Sequence, residues 1–312
     1  MDPVDDRVEL REYLFKDTDE WLPYRVELRE YLFKDTDEWL PYAVFVSSKV
    51  TRDKKAPLVL ALHGMSGNHG TFMRTPGVEE AEKNGYILVG AMGYSPSGSF
   101  GMPFRMGPRE GRAGPAGPGA PGGPGGRAGA PGAANSPAPQ AQPAAAAARD
   151  GQAGRAGRGM GMPGPGGTKE TDRAKVTELS EKDAMNVLEM VRKEFNVDDS
   201  RIYLMGHSLG GGGALHMGEK YSTIWAAVAG VAPAAFGFQW SADQKLRNVP
   251  LLIIVGDNDT LVTGSQQLAD QLKGLSFHVE YKSLPGLDHG GIIGGSMPDV
   301  FRFFAAHTKG SK

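Results

Sequence analysis

At 312 residues, with 34 basic against 36 acidic side chains and a formal net charge of −2, the chain lacks the positive balance of a nucleic-acid binder. The absence of cysteine excludes disulfides and thiol chemistry. No apolar run is long enough to span a bilayer, and the acidic start Met1-Asp-Pro-Val-Asp-Asp6 carries no secretory signal; the expectation is a cytosolic protein or a processed form, with no membrane partner.

The chain opens on a perfect tandem copy, in which Arg7 to Tyr24 recurs letter for letter as Arg25 to Tyr42. Each copy alternates apolar and polar residues over Val-Glu-Leu-Arg-Glu-Tyr-Leu-Phe, then passes through a polar Lys-Asp-Thr-Asp-Glu turn into a second strand. Only the second copy runs directly into Ala43-Val-Phe-Val46, so it is expected to form the native hairpin. Residues 1–24 then read as a redundant arm, with one domain over 25–312.

Two continuous apolar runs follow, Pro57-Leu-Val-Leu-Ala-Leu-His-Gly64 and Tyr86-Ile-Leu-Val-Gly-Ala-Met92, separated by a helical stretch over 71–83. From Gly107 to Gly167 the composition is Gly, Pro and Ala, with too little apolar surface to offset ordering entropy; a disordered insertion is expected. It keeps no collagen period, and Arg155-Ala-Gly-Arg158-Gly lacks the aromatic residues of an RNA-binding tract. Beyond it, Ala184, Val187, Leu188 and Val191 at helical spacing predict a helix over 177–193, with Ser180 as N-cap. The runs ending at Gly206, Pro233 and Gly256 complete a set of strands buried on both faces. The predicted class is α/β, with a mostly parallel central sheet, an N-terminal antiparallel hairpin and helices on both faces.

The chemistry concentrates at Gly206-His-Ser-Leu-Gly210, where an apolar strand meets a helix start. This is the pattern of a nucleophile elbow, which holds the Ser208 Oγ clear of the backbone. Downstream, Gly256-Asp-Asn-Asp259 ends a strand and Asp288-His289-Gly290 follows, giving the order serine, acid, histidine. Asp259 is favoured to orient His289 because it lies further past the strand end; Asp257 is the competitor, and Asp288 is expected to point elsewhere. For the oxyanion hole the candidates are the N–H groups of Leu209 and Met65, with Ser66 as the alternative to Met65. His63 and His207 are expected to be structural, with His207 packed beneath the elbow.

Leu62-His63-Gly64, Gly206-His-Ser-Leu-Gly210, Gly256-x-x-Asp259 and Asp288-His289-Gly290, in this order, resemble the α/β-hydrolase fold. More narrowly the chain resembles the esterases related to polyhydroxybutyrate depolymerases, feruloyl esterases and prolyl-oligopeptidase-like hydrolases, over roughly 26–106 and 170–308. The resemblance implies catalytic roles for Ser208, Asp259 and His289, and a secreted or periplasmic setting. The chemistry requires neither metal nor cofactor.

Tyr94, Phe100, Met102 and Phe104 flank the insertion at a strand's carboxyl end and either line the substrate pocket or anchor the loop. Phe236-Gly-Phe-Gln-Trp240 is a second candidate wall, open to the same alternative of plain packing. The expected function is a serine carboxylic-ester hydrolase acting on a small-molecule or polymeric ester, aromatic esters and polyesters included. The alternatives are a prolyl-oligopeptidase-like peptidase, disfavoured because no propeller-sized domain is present, and a catalytically silent binding module on the same fold.

Overall fold

The computed structural model describes residues 6–11, 26–74, 76–102, 166–235 and 237–310. Most of the predicted insertion, Phe104, Phe236 and residues 12–24 of the first copy lie outside the described residues. Among the described residues nine strands form one sheet: β1 (Asp6–Arg11), β2 (Val26–Phe33), β3 (Glu38–Val46), β4 (Ala56–Leu62), β5 (Ile87–Ala91), β6 (Val197–His207), β7 (Ala227–Val231), β8 (Leu251–Gly256) and β9 (Val279–Leu284). Their order is β1-β2-β3-β5-β4-β6-β7-β8-β9. From β5 to β9 all neighbours are parallel; β1, β2 and β3 add an antiparallel margin.

The apolar runs become strands because both faces of the sheet are covered. Every residue of β4, β5, β7 and β8 is buried. Successive side chains of β4 enter opposite layers, as the two-residue period requires. Leu58, Leu60 and Leu62 pack with helices α2 (Arg173–Glu194), α3 (Leu209–Lys220) and α4 (Val262–Gly274), whereas Val59 and Ala61 pack with α1 (Gly77–Asn84), α5 (Gly291–Gly295) and α6 (Met297–Ala305). The hairpin of the second copy, β2 and β3 with a turn over 34–37, is tied to this core by Tyr31, whose hydroxyl donates to Asp183 Oδ1 at 2.6 Å.

Two local expectations change. The stretch over 71–83 is a 3-10 turn, Phe72–Arg74, followed by α1, with Pro76 at the junction. Helix α2 starts earlier than predicted: Asp172 caps it, its carboxylate accepting the Lys175 N–H at 2.9 Å. Ser180 therefore lies inside the helix, where its Oγ accepts the Phe100 N–H at 2.7 Å. Apolar periodicity marks only the part of α2 that packs on the sheet, and its exposed first turn carries no such pattern.

The chain leaves β4 toward β5 on one side and returns to β6 on the other. Between them the strand order reverses, the place where open α/β sheets bind ligands, and at the carboxyl ends the loops after β4 and β6 meet.

Candidate active site

Strand β6 passes into α3 through Ser208, whose φ is 54°. A non-glycine residue there is strained, and the turn holds because its neighbours over-determine it. The Ser208 N–H donates to Val231 O at 2.9 Å, and its carbonyl accepts from Ala234 N at 2.8 Å and Gly212 N at 3.1 Å. Glycine is required on either side for lack of space: a Cβ on Gly206 would sit 2.0 Å from Gly210 O, and one on Gly210 would sit 2.3 Å from Leu62 O.

The Ser208 hydroxyl lies 2.9 Å from His289 Nε2, and His289 Nδ1 lies 2.7 Å from Asp259 Oδ2. A carboxylate only accepts, so Nδ1 carries the proton and Nε2 is free to accept from the hydroxyl. Asp259 is buried, and its other oxygen accepts the Leu261 N–H at 2.8 Å. Asp257, the competitor, instead accepts the Gly286 N–H at 2.7 Å. Asp288 accepts the N–H groups of Gly290 and Gly291 at the start of α5.

The loop after β4 abuts the elbow, since a Cβ on Gly64 would lie 3.1 Å from Ser208 Cβ. Ser66 is removed as an oxyanion donor because its N–H donates to Pro96 O at 2.8 Å. Among the described residues the Met65 N–H meets no acceptor, and Leu209 opens α3, where a first-turn N–H has no partner within the helix. His63 is buried, its ring nitrogens 2.7 Å from the carbonyls of Gly64 and Met92, joining the loops after β4 and β5. His207 is buried beneath the turn as expected, but its Nε2 also reaches the His289 carbonyl at 2.8 Å. Composition and spacing carried no signal for that contact.

The three candidate pocket residues are not brought together at the elbow. Tyr94 and Phe100 are fully buried. Tyr94 packs on Phe33, and its hydroxyl donates to Glu38 Oε2 at 2.7 Å; Phe100 meets the His63 ring edge-on. Both anchor the loop after β5 instead of lining open space, because α2 captures it: Asp183 Oδ2 accepts the N–H groups of Gly93 and Tyr94. Trp240 stacks on Phe238 and meets Phe277 edge-on, just before the amino end of β9. It sits toward the opposite edge of the sheet, since the segment after β7 must descend to the amino end of β8. Met65, in contrast, is 55% exposed, one residue past the glycine that abuts Ser208.

Among the described residues no cluster of His, Cys, Asp and Glu could hold a metal ion, and no helix is long and apolar enough to cross a membrane.

A family model described as PET hydrolase-like matches residues 172–274, from the cap of α2 through α4, which includes Ser208 and Asp259. The search of curated proteins gives no match. Among solved structures, a CE1 ferulic acid esterase from the anaerobic fungus Anaeromyces mucronatus superposes with a TM-score of 0.57 at 15% identity, over 95% of this chain and 97% of that one. The chain has the α/β-hydrolase fold. An S-formylglutathione hydrolase from Agrobacterium tumefaciens shares this hydrolase fold with a TM-score of 0.55 at 15% identity, over 91% of this chain and 95% of that one. A thermostable esterase superposes with a TM-score of 0.51 at 15% identity over 90% of this chain, which spans 62% of that esterase.

Proposed function

We propose that the chain is a serine carboxylic-ester hydrolase working through an acyl-enzyme, with Ser208 as nucleophile, His289 as proton carrier, Asp259 as orienting carboxylate and the Met65 and Leu209 N–H groups as oxyanion hole. The observation that carries this reading is the continuous hydrogen-bonded series from Ser208 through His289 to Asp259, mounted on a strained elbow. Ser208 Oγ attacks the ester carbonyl carbon as its proton passes to His289 Nε2. The bond to the alcohol oxygen then breaks, and His289 returns the proton to the leaving alkoxide. Water attacks the acyl carbon, yields a proton to His289, and Ser208 recovers it as the acid departs.

An open site supports a bulky substrate: the His289 side chain is 42% exposed and Met65, on the loop that abuts Ser208, is exposed as well. With the PET hydrolase-like match and the ferulic acid esterase neighbour, this favours an aromatic ester or a polyester. A polymer cannot enter a cell, so a secreted or periplasmic setting suits that substrate. Turnover of p-nitrophenyl esters, feruloyl esters and a polyester film tests the reading. Ser208→Ala should lower ester turnover about a thousandfold or more. Turnover surviving in that variant would overturn the mechanism, and cleavage of a parallel peptide substrate without ester cleavage would reassign it to a peptidase.

A further inference from the structure

His207 ends β6, one peptide bond before the nucleophile, and is buried. Its Nε2 lies 2.8 Å from the backbone oxygen of His289. A carbonyl can only accept, so Nε2 carries the proton and donates. The two imidazole rings are 4.6 Å apart, tilted by 44°. On its other side the ring borders the loop after β4, where a Cβ on Gly64 would come within 2.9 Å of His207 Nδ1. One side chain thus touches the elbow, the oxyanion loop and the histidine loop, three segments far apart in sequence.

The geometry points to His207 as a positioning residue that holds the His289 backbone, and with it the base, in line with Ser208. This rests on the ester-hydrolase reading above. Burial first, and then repulsion from the His289 ring, hold the His207 imidazole down at about 4, against the opposing pull of the His289 carbonyl and the Asp259 carboxylate. Above that pH the ring is neutral, and it adds no charge to compete with a protonated His289.

The tether matters most where the other hold on His289 is lost. In the free enzyme the ring is held by Asp259 on Nδ1 and by Ser208 on Nε2. In the acyl-enzyme Ser208 Oγ is esterified and has no proton to donate. Among the described residues, Asp259 and the His207 bond are then what keeps Nε2 aimed at the attacking water, so deacylation is the step that depends on His207.

Stopped-flow turnover of p-nitrophenyl acetate separates the acylation burst from steady-state deacylation. His207→Leu fills the space without a donor. His207→Asn carries an amide that reaches only the position of Nδ1, whereas the amide of His207→Gln reaches that of Nε2. The Leu and Asn variants should lose about 10- to 100-fold in the deacylation rate and in kcat. KM corrected for the slower deacylation should change less than about threefold, and Gln should recover most of the rate. Melting curves identify any variant that fails to fold; if Leu does, the contrast between Asn and Gln decides. Full rates in Leu or Asn overturn the inference, and so does a Gln variant as slow as Asn, which would leave ring shape as the cause. A Ser208→Ala variant that still turns over would overturn the hydrolase reading itself. An inactive Ser208→Ala beside a full-rate His207→Leu overturns the tether alone.

Discussion

Asp259 is buried, with one oxygen on the Leu261 N–H and the other on the His289 ring. In the proposed mechanism its charge and its geometry act together: it selects the tautomer that leaves Nε2 basic, and it stabilises the imidazolium once the serine proton arrives. Asp259→Asn keeps size and burial but can present an N–H to Nδ1, which favours the wrong tautomer. Ester kcat should fall about a thousandfold or more, with KM and melting temperature little changed. A variant within tenfold of wild type, roughly, would show that another carboxylate takes the role. Position past the end of β8 favoured Asp259 and left Asp257 as the competitor, because both follow that strand. In the fold Asp259 lies 2.7 Å from His289 Nδ1, whereas Asp257 accepts the Gly286 N–H.

At the scale of elements, α2 does more than cover the sheet. Its Asp183 carboxylate, fully buried, receives Tyr31 from β2 and the Gly93 and Tyr94 N–H groups from the loop after β5. Burial outweighs these three donors and pushes the carboxyl from 3.8 up to about 6. The folded protein therefore binds this proton more tightly than the unfolded chain does. The stabilising contribution is full below pH 3.8, declines as pH rises to about 6, and is constant above that. Asp183→Asn keeps an oxygen for the two N–H groups and an amide that can donate to Tyr31, but it cannot ionise. The difference in urea midpoint, wild type minus variant, should slope downward from about pH 4 to about pH 6 and then flatten. A flat or rising difference would exclude this coupling. Tyr94 and Phe100 were legible as residues beside the site, but not as anchors. Their partners, Glu38, Asp183 and Ser180, are distant in sequence and reach them only once α2 is docked.

At the scale of the molecule, the duplicated segment places β1 as a margin against β2, antiparallel, from Asp6 opposite Tyr31 to Arg11 opposite Val26. The second copy supplies β2 and the start of β3, which pairs with β5 and so with the core. Deleting residues 7–24 should leave ester turnover intact and shift the melting temperature by no more than about 2–4 °C. A larger loss would make the first copy structural. Apolar runs, the strand-helix alternation and the Gly-x-Ser-x-Gly spacing are local properties, so the sequence by itself determined the class of fold, the elbow at Ser208 and the candidates for acid and base. Pairings across the fold are not local. Which aspartate meets His289, that Ser66 is spent on Pro96, that Trp240 descends toward the far edge of the sheet, and that His207 grips the His289 backbone were decided only by tertiary structure. The reason is physical: a hydrogen bond between distant segments depends on where each loop turns, and that is set by the packing of all the elements at once.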